Sequence, residues 1–198
     1  AWLDNHLVAA GWVQSPLYAG TVTILTTYTG AFTNFVIDGD CVISNGTWTH
    51  LVNAATPVNR LNVTINGDLT IGPAGRIDVY GKGYANGAGP GGTAGASQSS
   101  PGASHGGRGG YVGEAGPATY GSILTPTNLG SSSSSYAYGN APGGGAILLT
   151  VYGTTDLGGL ISANGQPGLT YRNLGAAGGS VFLTTDYLTG SGTIQALG

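Results

Sequence analysis

One short strand phrase is written three times in this chain, and that constrains the fold more than any other feature. It reads LNVTINGDLTIGPAGRIDVYGKG at 61–83, ILLTVYGTTDLGGLISANGQPG at 147–168 and VFLTTDYLTGSGTIQALG at 181–198. Each copy opens with alternating apolar residues: Leu61, Val63 and Ile65; Ile147, Leu149 and Val151; Val181 and Leu183. A turn follows, with Gly or Thr before Asp: Gly67-Asp68, Thr155-Asp156 and Thr185-Asp186. A short second strand, a glycine and a third strand complete the phrase, the third being Arg76–Val79, Leu160–Ala163 or Thr193–Ala196. The stretch FVIDGDCVISNGTW at 35–48 fits the same frame, with Gly39-Asp40 at the turn.

Strands of three to five residues joined by glycine corners, about 20 residues to a circuit, predict the rungs of a β-solenoid. Parallel strands of successive rungs stack roughly 4.8 Å apart, and the inward apolar residues form one continuous narrow core. The expected class is all-β, a parallel β-helix with long glycine-rich inserts. Residues 1–34 are assigned to an N-terminal cap and first strands, and 35–198 to rungs with inserts at 81–145 and 165–180. Both inserts leave after a third strand and return through a glycine pair, so they belong on one side of the solenoid.

The longer insert holds 20 of the chain's 39 glycines and three formally charged residues. Between Gly83 and Gly116, eight of the twelve positions reached by counting in threes are glycine, against five of the other 22. Period three is that of the polyproline II helix, in which glycine lets neighbouring chains approach. Two readings stand: packed extended segments, or a mobile low-complexity loop.

Composition narrows the function. Charged residues make up 7% of the chain, against about 25% in an ordinary soluble domain. The net charge is −3, with no lysine- or arginine-rich run, so no nucleic-acid partner is expected. No apolar run reaches the roughly 18 residues of a membrane-spanning helix. The lone Cys41 sits between apolar neighbours and reads as a buried, inert thiol. The absence of methionine and of a leader-like start reads as a processed chain or excised segment. Few charges with abundant Gly, Ser, Thr, Asn and Tyr suit an extracellular or cell-surface setting. AWLDNHLVAAGWVQ reads as a short helix or loop covering the first rung, whereas SGTIQALG ends as a bare rung.

The phrases GRIDVYGKGYANGAGPG, TYGSILTPTNLGS, GGGAILLTVYGT, GLISANGQPG and GGSVFLTTDYLTGSGTIQA resemble the glycine-rich β-helical segments of large bacterial surface and secreted proteins. The resemblance spans about 35–198 and implies a right-handed parallel β-helix in an extracellular structural or adhesive role. It implies no reaction and no catalytic residues. GSSSSSYAYGN departs from it, standing where such segments run on in glycine.

Candidate chemistry is sparse. Asp40, Asp68, Asp156 and Asp186 are expected in one shared turn register. One reading has them capping backbone N–H groups at corners. The other has a carboxylate ladder binding calcium, which takes six to eight oxygen ligands. Asp38 and Asp40, two apart, are the sole candidate acid–base pair. His50 is expected to donate to a nearby carbonyl. Tyr80, Tyr84, Tyr111, Tyr120, Tyr136, Tyr138 and Tyr171 lie in or beside the inserts. They either pin glycine loops to the solenoid or present rings to sugars or to another copy of the chain. The expected function is therefore non-enzymatic and structural, as a surface-protein module or a subunit stacking end to end into a fibre. Its partners would be copies of itself or neighbouring segments of a longer chain. A carbohydrate-binding adhesin, with polysaccharide as partner, is the alternative, and a polysaccharide-degrading enzyme the third reading.

Overall fold

A computed structural model describes residues 17–18, 21–30, 34–95, 101–111, 114–135, 139–168 and 175–198. The cap expected in AWLDNHLVAAGWVQ lies outside them. The described residues are all-β, with parallel pairing throughout the main sheets and no helix among them.

The chain makes five passes through three columns of strands. The first pass is β1 (Leu17–Tyr18), β2 (Val22–Ile24) and β3 (Tyr28–Gly30), and the second β4 (Phe35–Ile37), β5 (Cys41–Ile43) and β6 (Thr47–His50). The third is β7 (Leu61–Ile65), β8 (Leu69–Ile71) and β9 (Arg76–Asp78). Five short strands then lie within the long insert: β10 (Thr93–Gly95), β11 (Gly110–Tyr111), β12 (Glu114–Ala115), β13 (Ser133–Ser135) and β14 (Gly139–Ala141). In the fourth pass β15 (Ala146–Leu157) runs through the first two columns before β16 (Leu160–Ser162). The fifth repeats that plan with β17 (Ser180–Thr189) and β18 (Thr193–Gln195).

Register stacks like upon like. In the first column Phe35, Val63, Leu149 and Leu183 stand one above another. Ile24, Ile43, Ile71 and Leu157 do so in the second, and Tyr28, Trp48, Ile77, Ile161 and Ile194 in the third. Period-two alternation turns each of these inward, and branched side chains pack closely at the parallel-strand spacing. The early passes use aromatic residues, Phe35 meeting Trp48 edge to face at 6.4 Å. Later passes fill the same interior with aliphatic groups, ending in Ala163.

Connections of unequal length all leave after the third column and return before the first, at 51–60, 79–145 and 163–179. In the first of these, buried Asn53 donates to the carbonyls of Asn59 and Lys82 and accepts from the Val58 and Asn59 N–H groups. The long insert is built of short extended segments bonded to one another. Gly83 N–H donates to Gly143 O at 2.7 Å, Gly143 N–H to Tyr84 O, Tyr84 N–H to Gly130 O, and Gly130 N–H to Gly144 O. The third connection joins the bundle where Gly144 N–H meets Ala177 O and Ala103 N–H meets Gly175 O. A Cβ on Gly143, Gly144, Gly130 or Gly179 would overlap a neighbouring backbone carbonyl. Of the period-three glycines, Gly83 and Gly116 stand where another backbone crosses, whereas Gly107 and Gly110 have no described atom near their Cβ positions.

Candidate functional site

The first corner, between columns one and two, holds the aspartates. Asp40 Oδ1 accepts the Asp68 N–H at 2.9 Å, and Asp68 Oδ1 accepts the Thr154 N–H at 2.7 Å. Each carboxylate thus caps the corresponding turn of the following pass. Gly67 and Gly153 are required beneath them, because a Cβ at either would overlap the capping Oδ1.

The shared register expected for four aspartates holds for two. Asp156 pairs with Thr70, already inside the second column, because Leu157 is drawn over Ile71. Asp186 falls between Thr185 and Tyr187, where the pairing with β15 shifts. Among the described residues, no group of three or more His, Cys, Asp and Glu side chains is placed to hold a metal ion. Asp38 accepts from the Asn66 amide at 2.9 Å, so Asp38 and Asp40 serve different partners.

The buried titratable groups are engaged by the fold. Cys41 is fully buried, and burial first, then the neighbouring Asp40 charge, pushes its thiol far up. His50 ends the third column of the second pass. Its Nδ1 lies 2.7 Å from Leu51 O and must carry the proton, leaving Nε2 to accept the Ala146 N–H at 3.3 Å. Burial holds the ring neutral, lowering its pKa to about 4.

The tyrosines divide. Tyr84 is buried with Leu129 and Ala146 and fixes the insert to the fourth pass, whereas Tyr80 is exposed. Tyr111 enters a short antiparallel hairpin through its backbone pairing with Glu114. Tyr136, Tyr138 and Tyr171 lie outside the described residues. Tyr120 bonds through its hydroxyl to Leu129 O and Ser131 Oγ, and its ring lies 4.6 Å from that of His105. Burial lowers the His105 pKa, and its Nδ1 faces Gly178 O at 2.8 Å. Sequence reasoning missed this His105–Tyr120 pair, since no spacing rule links the two positions.

The last pass is the least covered part of the stack. Ile77 and Ile161 are fully buried, yet Ile194, in register above them, is 42% exposed. Val181 and Leu183 continue the first column and are partly buried. The far edge of β17 and β18 carries no further strand among the described residues. Comparison with known protein families, curated proteins and solved structures finds no match for this chain.

Proposed function

We propose that the protein is a non-catalytic structural module of the cell surface or extracellular space, folded as a right-handed parallel β-helix. In this reading its last pass is covered by a further pass, supplied by a neighbouring segment of a longer chain or by a second copy of this one. Handedness follows from the strong right-handed preference of parallel crossovers. The carrying observation is the open fifth pass, whose Val181, Leu183 and Ile194 continue the apolar columns of the four passes below. A parallel strand edge with an apolar interior beside it is matched by another such pass, adding backbone hydrogen bonds and burying the columns together.

Two further features support a structural role. The carboxylates of Asp40 and Asp68 hold backbone N–H groups, and both buried histidines hold carbonyls, so these groups bind the protein to itself. The low charge content suits close lateral and axial packing outside the cell. Sedimentation and negative-stain microscopy across a concentration series test the reading. Elongated assemblies that Ile194→Lys abolishes are expected if copies stack; single particles at every concentration would overturn stacking and leave a neighbouring segment of a longer chain as the cover.

A further inference from the structure

Charge is scarce in this chain, so the place where it gathers is informative. Only five residues are lysine or arginine, and two of them, Arg60 and Lys82, are brought together by the fold. Buried Asn53 does this: its Nδ2 donates to Asn59 O at 2.9 Å and to Lys82 O at 2.8 Å. One amide nitrogen thus clips the end of the first connection to the start of the long insert. Both charges lie close enough to the buried His50 ring to disfavour its protonation, and Arg60 also acts on Tyr84.

Two cations held side by side repel unless an anion joins them, and partial burial weakens the screening by water. Arg60 and Lys82 are both half-buried, and among the described residues neither side chain has an ion pair or a hydrogen bond. Several carboxylates are committed elsewhere: Asp40 and Asp68 to the first corner, Asp38 to Asn66, and Asp78 to the Tyr80 N–H at 3.0 Å. Apolar surface adjoins the pair. A turn closed by Lys82 N–H to Val79 O at 3.1 Å, with Gly81 at φ +63°, leaves Tyr80 43% exposed. Val52 and Val58, bonded through their backbones to Asn59 and Asn53, are exposed beside it in the first connection.

We propose that Arg60 and Lys82 form a binding site for one anionic group, a carboxylate or a sulfate, of an acidic polysaccharide. The guanidinium offers two parallel N–H donors to such a group, and the ammonium adds a point charge. Tyr80, Val52 and Val58 supply surface for the C–H faces of the neighbouring sugar rings. A nucleic acid or an anionic membrane is a poorer fit, because each is held through many phosphate contacts and two cations supply few. Occupancy of this site is independent of what covers the last pass.

Binding of the full chain to immobilised polygalacturonate, dextran sulfate, neutral dextran and polyglutamate tests the site. The chain should bind one or both acidic polysaccharides and not dextran. Arg60→Gln and Lys82→Gln should each weaken that binding at least about tenfold. Arg76→Gln removes the same charge from an exposed position on β9 and should bind as wild type does. Arg60→Lys keeps the charge without the fork and should fall between wild type and Arg60→Gln, with an unchanged melting temperature. Preference for polygalacturonate assigns the group as a carboxylate, and preference for dextran sulfate as a sulfate. Absence of binding to both, equal weakening by Arg76→Gln, or equally tight binding of polyglutamate would overturn the proposal.

Discussion

Asp68 and Thr154 are 86 residues apart in sequence, yet the Asp68 carboxylate accepts the Thr154 backbone N–H at 2.7 Å. The contact fixes how the fourth pass sits on the third after the longest insert in the chain. Asp68 also receives the same service below, its own N–H donating to Asp40. Asp68→Ala should therefore cost about 1 kcal/mol, the usual worth of such a capping bond. Asp68→Asn keeps an acceptor oxygen and should lie close to wild type. Urea unfolding midpoints of the two variants, each with calcium and with EDTA, separate a cap from a cation ligand. A cap predicts the same ordering in both conditions.

The third column makes a graded prediction. Ile77 and Ile161 are fully buried, and Ile194 is not. Truncation of Ile161 to alanine should cost ~2–5 kcal/mol, the range for deleting a buried aliphatic side chain. The same change at Ile194 should cost under about 1 kcal/mol in the monomer, because roughly half of its surface is already wet. Thermal melts in dilute solution read both. Equal losses would mean that the open pass is covered.

The three-column plan is largely legible in the sequence, because column contents are local. Leu61-Val63-Ile65 and Ile147-Leu149-Val151 alternate visibly, and they pair in the register their spelling suggests. The turn was misaligned for an equally physical reason. Thr155-Asp156 looks like Gly67-Asp68, but register is decided by inward apolar residues, and Leu157 over Ile71 puts Thr154 above Asp68. The insert is harder. Its period-three glycines leave packed segments and a loose loop both open, and the choice of partner, such as Gly83 with Gly143, depends on contacts across many residues. His105 and Tyr120 meet for the same long-range reason.

Crossing backbones make the bundle intolerant of the smallest side chain. A Cβ on Gly144 would overlap Ala163 O, and one on Gly179 would overlap Gly145 O. Neither neighbour is a flexible side-chain end that could swing away. Gly144→Ala and Gly179→Ala should each cost about 3 kcal/mol, the upper end for overpacking a closed interior. Gly106→Ala, with no described atom near its Cβ position, should be neutral and serves as the control. Urea midpoints of the three, measured together, check the contrast.

Cys41 offers a reporter of opening. It is fully buried in the second column, and burial keeps it a thiol rather than the thiolate that reacts. An aromatic disulfide reagent should leave the native chain unlabelled over minutes and label it at once in denaturant. Native labelling should accelerate with urea in parallel with the loss of β-sheet signal. Fast native labelling would place Cys41 at a locally opening edge.

His50 supplies the pH dependence. Folded, its ring stays neutral down to about pH 4, because burial disfavours the cation and Nε2 is occupied as an acceptor for Ala146 N–H. Unfolded, it takes a proton near the ordinary value of 6.5. Above that value neither state binds the proton and the full stability is present. As pH falls from 6.5 towards 4 the unfolded chain alone gains the proton, so stability declines by about 3 kcal/mol and then levels with respect to this group. His105, also lowered by burial, adds a decline of the same sign. His50→Gln removes the titration while keeping a polar side chain at the junction. Melting temperatures of the two proteins between pH 8 and pH 4 should converge as the medium is acidified, wild type losing its advantage. Parallel curves would mean that His50 keeps the same proton affinity whether the chain is folded or not.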